Sequence, residues 1–390
     1  MDEISQLTQP VKAIYISTFT PRKCGLATFT KDLTNAINLI NPLSLAQIAA
    51  MDNPISEKLT YPHEVKLRVR QDQRADYRQL VDYINGSDVD VVVVQHEYGI
   101  FGGEESKLMV EMVKKLTKPV VTTLHTVVEN PNRQKKHILG KLGEISAFVV
   151  VMLETSREVL VNQYGVPRHK VMVIPHGVPD FPKFGNGKWK KKLGLGGKIV
   201  MSSINLISPG KGIELAIAAL PEVVSKIPNF VYLIVGETHP EVKLREGEKY
   251  RQKLQKLVKE LKLGEHVRFI NRYVSLDKLI EYVAASDIYV TPYLDPQASA
   301  SGSLAYAIGA GKACISTPYL YAREMLDSGR GVLVPFNDST TITQAVLGFL
   351  TDSKKMGECQ ENAYQLGRTM TWVNVGHKYF HLLQNARNSD

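Results

Sequence analysis

The sequence predicts an α/β protein built from two doubly wound, Rossmann-like domains facing a central cleft. Short apolar runs alternate with stretches of helical spacing, the pattern of strands in a parallel sheet joined by helices. The alternation runs twice, interrupted between Pro175 and Gly197 by prolines, glycines and a lysine run. A chain of 390 residues also exceeds what one ordinary core organises, so two domains of about 150–200 residues are expected.

In the first half, Val11–Ser17 is a strand. After the loop Pro21–Gly25, residues Leu26, Phe29, Leu33, Ile37 and Ile40 fall at helical spacing. Val89–Val94 is wholly apolar, as for a strand buried on both faces. Val120–Leu124, Ala147–Val151 and Val171–Ile174 complete that series. The second series comprises Ile199–Ser203, Phe230–Val235, Val267–Ile270, Ile288–Thr291, Ala313–Ser316 and Gly331–Pro335. Helices are expected over Ile213–Ser225 and Tyr250–Leu261, and through Thr340–Asn385. In such sheets ligands bind beyond the carboxyl ends of the strands, which directs attention to the cleft.

Bulk properties exclude several classes. The apolar runs are far shorter than the roughly 20 residues of a membrane helix. The acidic start Met1-Asp2-Glu3 is unlike a secretory signal. Cys24, Cys314 and Cys359 fit neither a disulfide framework nor a zinc site. The chain therefore reads as cytoplasmic, with no metal expected. The net charge of +9 gathers at Lys188–Lys192, Arg133–His137 and the pair Arg68 and Arg70. These patches suit solvated faces, anionic substrates, or peripheral attachment at the inner face of a membrane. No binding module or aromatic platform accompanies them, which argues against nucleic acid.

Two loops of the second half carry chemistry. Strand Ile199–Ser203 runs into Ile207-Ser208-Pro209-Gly210-Lys211-Gly212 and then a helix. A lysine at such a turn suits a phosphate, because the helix start offers free N–H groups and the ammonium supplies charge. Asn205 and Gly212 depart from a P-loop. Asp295 to Ser303 forms a second loop after a strand, rich in small residues and hydroxyls, opening another helix. Together the loops are expected to grip a diphosphate. In the first half, His125 follows a strand at the sheet's carboxyl end, as do His96, Glu97 and Tyr98. Asp88-Val89-Asp90 spells a D-x-D pattern but precedes a buried strand, so it reads as ordinary polarity there.

With these pieces in place the chain resembles the retaining nucleotide-sugar glycosyltransferases of family four, the group 1 glycosyltransferases with the GT-B fold. The matching segments are Pro21–Leu33 (PRKCGLATFTKDL), Val121–Thr126 (VTTLHT), Val173–Val178 (VIPHGV) and Ile207–Ile213 (ISPGKGI). They continue with Leu233–Glu237 (LIVGE), Ala285–Tyr293 (ASDIYVTPY), Gly309–Thr317 (GAGKACIST) and Gly329–Phe336 (GRGVLVPF).

The resemblance implies an N-terminal acceptor-side domain over 1–178 and a nucleotide-sugar donor domain over 179–366. A helical tail, 367–390, is expected to pack back on the first. It implies His125 as the catalytic-site histidine facing the donor sugar. Lys211, Ser301, Gly302, Ser303 and Gly25 would meet the donor diphosphate, and Arg272 and Tyr273 the nucleobase. Ser299 falls in the segment that meets the donor sugar; by position in this chain, Asp295 or Gln297 is expected to add a sugar contact, and Cys24, Glu97 and Tyr98 to line the acceptor pocket. Leu206 stands where the family has a phosphate-binding arginine, and Ala298 and Tyr306 where it has two glutamates, which marks a divergent subgroup. Glu324 matches a carboxylate common later in the family.

The expected activity is transfer of a hexosyl unit from a nucleoside-diphosphate sugar to a sugar, glycan or lipid-linked acceptor. The donor is a co-substrate; no cofactor is implied. Retention follows from the resemblance alone, since no paired carboxylates suggest a double displacement. A GT-B glycoside phosphorylase and a non-catalytic sugar- or nucleotide-binding homologue stay open as alternatives.

Overall fold

A computed structural model of the chain describes residues 9–53, 58–183 and 186–389. The chain divides into two compact units, Met1–Gly177 with Trp372–Asp390, and Val178–Thr371. Each unit is a parallel sheet flanked by helices.

The first unit holds seven strands among its described residues: β1 (Ala13–Ser17), β2 (Gln47–Asp52), β3 (Val65–Arg70), β4 (Val91–His96), β5 (Val120–Leu124), β6 (Phe148–Val151) and β7 (Val171–Val173). Their order is β3-β2-β1-β4-β5-β6-β7, all pairs parallel. The winding direction reverses between β1 and β4. All six residues of β4 and all five of β5 are buried, as their apolar runs require of central strands. The helix Gly25–Ile40 follows β1, with Phe29, Leu33 and Ile37 in the core. The closing helix Trp372–Arg387 lies against it at Gly376, whose Cα faces Ala36 and Ile40. The Tyr379 hydroxyl also meets that of Thr123 on β5, at 3.1 Å.

Among its described residues the second unit holds six strands in the order β10-β9-β8-β11-β12-β13: β8 (Ile199–Ile204), β9 (Phe230–Val235), β10 (Val267–Ile270), β11 (Ile288–Thr291), β12 (Ala313–Ser316) and β13 (Gly331–Leu333). All are parallel, and the reversal falls between β8 and β11. Two separate apolar cores form, one around Val92, Val94 and Leu139, the other around Met201, Ile234 and Val290.

The structure corrects several expectations. Strands β2 and β3 were absent from the sequence-predicted series. The edge strand β3 (VKLRVR) alternates charged and apolar residues because one face meets solvent, and β2 (QIAAMD) relies on small alanines. The first strand series extends further than predicted at β4, which runs to His96 and places Gln95 and His96 inside the sheet. The helix expected over Ile213–Ser225 breaks into Ile213–Ala218 and Leu220–Lys226, with Pro221 in the first turn of the second. Thr340–Asn385 is three helices, Ser339–Thr351, Ser353–Thr369 and Trp372–Arg387. Pro175–Gly197 is less a linker than the opening of the second unit: Phe181 is buried, and helix Asn186–Lys192 ties down through Lys190–Asp287 and Lys192–Glu281 ion pairs. The units divide at 177/178 and 371/372, where the sequence suggested 178/179 and 366/367.

Candidate functional site

In the second unit both predicted loops lie at the reversal of strand order, where doubly wound sheets place ligands. After β8, Pro209–Lys211 makes one 3-10 turn and Gly212 opens the helix Ile213–Ala218. Gly212 has φ 62°, and a Cβ there would lie 2.0 Å from the Pro292 carbonyl oxygen. Only glycine admits both the left-handed backbone and that approach. The two loops are stitched together where the Leu294 N–H donates to the Gly210 carbonyl, at 3.0 Å.

The Lys211 ammonium sits 3.9 Å from the centroid of the Tyr293 ring. Ser301 caps the helix Gly302–Gly309, its hydroxyl accepting from the Leu304 N–H at 3.2 Å. That leaves the N–H groups of Gly302 and Ser303 at the positive end of the helix. The Ser303 hydroxyl meets that of Tyr289 at 2.7 Å, and Tyr289 also bonds both backbone groups of Ile204 at the end of β8. A cation and a helix start are thus brought together around tyrosines, an arrangement suited to an anion.

The other residues predicted for this site hold more ordinary positions. Asp295 is exposed and its carboxylate accepts from the Gln297 N–H at 2.9 Å, fixing its own turn. Ser299 is buried and Gln297 half-buried. Arg272 and Tyr273 follow β10 and are exposed; Arg272 reaches the Tyr282 hydroxyl at 3.5 Å. Glu324 is half-buried on the helix Leu320–Met325.

The first unit gathers a different set at its carboxyl end. His125 directly follows β5 and is buried. Its Nε2–H donates to the Gln95 amide oxygen at 2.8 Å, and its backbone N–H to the His96 carbonyl at 3.0 Å. Phe29 packs in a T-shaped arrangement with both His125 and His176, with centroids 4.7 Å and 5.1 Å away. Burial, with smaller effects of His176 and His96, pushes His125 down to about 3. Burial likewise brings His96 and His176 down to about 4, the Gly177 carbonyl opposing it at His176. All three rings are neutral at physiological pH.

Beside them Glu97 accepts from the Thr126 hydroxyl and the Tyr98 N–H, both at 2.8 Å. Burial raises its carboxyl above the usual range against these bonds. The His96 ring nitrogens, the Gln95 amide nitrogen and the Tyr98 hydroxyl are buried without a hydrogen-bond partner among the described residues. Unsatisfied buried polar atoms are rare and call for an explanation. Cys24 caps the helix Gly25–Ile40 through its sulfur, and Gly25 opens that helix with free space around it. Gln95, Thr126, Tyr289 and Tyr293 escaped the sequence reading as site residues. For Gln95, Thr126 and Tyr293 the signal was only their place at or just beyond strand ends, and Tyr289, second in β11, carried none.

Asp88 and Asp90 lie ahead of β4, and both bind Lys12. Among the described residues no group of three or more His, Cys, Asp or Glu is arranged to hold a metal ion. Within the basic patches, Arg68 pairs with Asp52 and Arg70 with Asp76, and Lys190 and Lys192 are paired as above. No helix among the described residues is long and apolar enough to cross a membrane.

Residues 186–366 match the family described as "Glycosyl transferases group 1", and residues 52–180 match "Glycosyltransferase Family 4". A GDP-mannose-dependent alpha-(1-6)-phosphatidylinositol monomannoside mannosyltransferase of Mycolicibacterium smegmatis is 25% identical over 229 residues, 56% of each chain. The phosphatidyl-myo-inositol mannosyltransferase of that organism is 27% identical over 183 residues, 46% of this chain and 43% of its own. The chain thus spans about half the length of these relatives. In fold it resembles Anabaena HepE, solved in complex with UDP, at TM-score 0.77 and 15% identity over 96% of this chain and 100% of that one. The fold is GT-B, and the two family matches, over residues 52–180 and 186–366, support a group 1, family four glycosyltransferase.

Proposed function

We propose that the protein transfers a hexosyl unit from a nucleoside-diphosphate sugar to a sugar, glycan or lipid-linked acceptor, with retention and without a metal. The observation that carries this reading is the convergence of the Lys211 ammonium and the Gly302–Gly309 helix start at the strand-order reversal. Departure of a nucleoside diphosphate concentrates negative charge on its terminal phosphate. A fixed cation and oriented N–H groups lower the barrier by meeting that charge as it forms. They also supply what a metal would otherwise provide, which supports metal independence.

On the acceptor side the reading assigns His125 to the donor sugar and reaction centre. As a neutral imidazole it hydrogen-bonds without adding charge near the oxocarbenium-like carbon. Glu97 and Tyr98, with Cys24 nearby in sequence to Gly25, are assigned to the acceptor. In a front-face reaction the leaving phosphate oxygen takes the acceptor hydroxyl's proton as the new glycosidic bond forms, so no separate base is needed. Asp295, Gln297 and Ser299 are proposed for the donor sugar and Arg272 and Tyr273 for the base.

The relatives named above use GDP-mannose or act on phosphatidylinositol lipids, and HepE holds UDP. A panel of GDP-, UDP- and ADP-sugars assayed for hydrolysis and transfer therefore tests the proposal. Release of nucleoside diphosphate with at least one donor is expected; phosphate-dependent cleavage of a disaccharide with no nucleotide use would overturn it. We place the enzyme in the cytoplasm with peripheral membrane contact. The exposed Arg133 and Lys136 on the helix Arg133–Ile145 support this. Co-sedimentation with anionic but not neutral liposomes is the expected result.

A further inference from the structure

Tyr293 lies two residues beyond β11 and is 5% exposed, yet its polar contacts lead toward the candidate site. The ammonium of Lys211 rests on its ring. The ring of Tyr319 is nearly parallel to it, with centroids 5.0 Å apart and planes 15° apart. Tyr319 is itself fully buried and donates its hydroxyl to Thr291, at 3.2 Å. The Tyr293 carbonyl accepts from Thr317, so its backbone is fixed as well. The ring is thus a rigid shelf built on β11 and β12.

Neither Asn205 nor Leu206 offers a charge, so Lys211 is the cation of this turn. A lysine side chain has four rotatable bonds and loses much freedom when a ligand fixes it. A ring face that already holds the ammonium removes part of that loss before the ligand arrives.

We propose that Tyr293 is a positioning residue for diphosphate binding, holding the Lys211 ammonium at a set distance from the Ser301–Ser303 helix start so that one phosphate meets both. The inference rests on the donor-site reading above. Burial alone would raise the phenol, but Lys211 and bonds with Ser301 and Ser303 outweigh it and bring it below its usual value. The hydroxyl is accordingly engaged by the same groups that would face the phosphate, while the ring holds the cation.

Two substitutions separate these parts. Tyr293→Phe keeps the shelf and loses the hydroxyl, whereas Tyr293→Leu loses both. Binding of UDP and GDP is measured by calorimetry, with uridine and guanosine as controls. For whichever diphosphate the wild type binds, Tyr293→Phe should weaken affinity about threefold and Tyr293→Leu about tenfold or more, with the nucleoside changed less than about twofold. In a Lys211→Ala background, Tyr293→Leu should add less than about twofold, because its effect runs through the lysine.

Equal losses for diphosphate and nucleoside would overturn the proposal, as would a full additive loss in the Lys211→Ala background. So would unchanged affinity in both Tyr293 variants. If Tyr293→Leu lowers the unliganded melting temperature, Tyr293→Phe still reads the hydroxyl's part in a preserved shelf, and its failure to weaken diphosphate binding contradicts the proposal. A wild type that binds neither diphosphate removes the donor-site reading and this inference with it. Intact wild-type binding with unaffected variants removes this inference alone.

Discussion

The two sheets present opposite chemistry at their carboxyl ends. The second unit offers a cation on an aromatic shelf, hydroxyls, and a helix N-terminus whose small residues leave the backbone open. The first offers neutral imidazoles, an amide and a half-buried carboxylate, several with hydrogen-bonding atoms that meet no partner among the described residues. One architecture thus carries one end suited to an anion and another suited to uncharged hydroxyls. The difference lies in a few residues just beyond the strands, not in the sheets, which share topology and apolar cores.

The contrast is open to direct attack, beginning with the cation. Lys211→Ala is expected to lower kcat/KM for the nucleotide sugar by about 100-fold or more, as losing a leaving-group stabiliser does. A change below about threefold would mean that the two ends do not differ in the way described. Next is the turn that places the cation. Gly212→Ala forces a side chain into a left-handed backbone and against the Pro292 carbonyl. Urea unfolding should register a loss of about 2–4 kcal/mol. Stability within about 0.5 kcal/mol of wild type would show that the turn relaxes freely.

The other end should respond in rate more than in donor binding. His125→Ala is expected to reduce kcat by about 10- to 100-fold while the donor KM moves less than about threefold. Equal changes in both would make His125 a donor-binding group like Lys211 and blur the comparison.

The smallest effect is a pH dependence confined to the first unit. His125, His96 and His176 have folded values of about 3, 4 and 4, against an ordinary 6.5. Between those values and 6.5 the unfolded chain binds more protons, so stability rises with pH through that window. It is fully present above 6.5 and declines as pH falls toward 4. The melting temperature should therefore drop by several degrees between pH 7 and pH 5, and less when His176 is replaced by Gln. A flat profile would mean that these rings are hydrated and charged in the folded state.

Much of this was legible in the sequence, for identifiable reasons. Fully buried strands such as Val91–Val94 and Phe230–Val235 announce themselves as apolar runs. Lys211 stands out because glycines flank it at a strand-to-helix turn. The edge strand Val65–Arg70 did not stand out, because its charged face looks like a solvated loop. Its arginines looked like a free patch because their partners, Asp52 and Asp76, are 16 and 6 positions away. Gln95 was hidden inside a strand two residues longer than its apolar run. Tyr293 was hidden because a tyrosine after a strand is usually core; only the position of Lys211 over its ring gives it a second meaning.

The central claim is that the second unit supplies the main anion grip for a nucleoside-diphosphate donor. Calorimetric titration of UDP and GDP into wild type, Lys211→Ala and His125→Ala tests it most directly. The account predicts that one of the two diphosphates binds the wild type, that Lys211→Ala weakens it about tenfold or more, and that His125→Ala binds it within about threefold of wild type. Undiminished binding by Lys211→Ala, or a loss in His125→Ala as large as in Lys211→Ala, would contradict it.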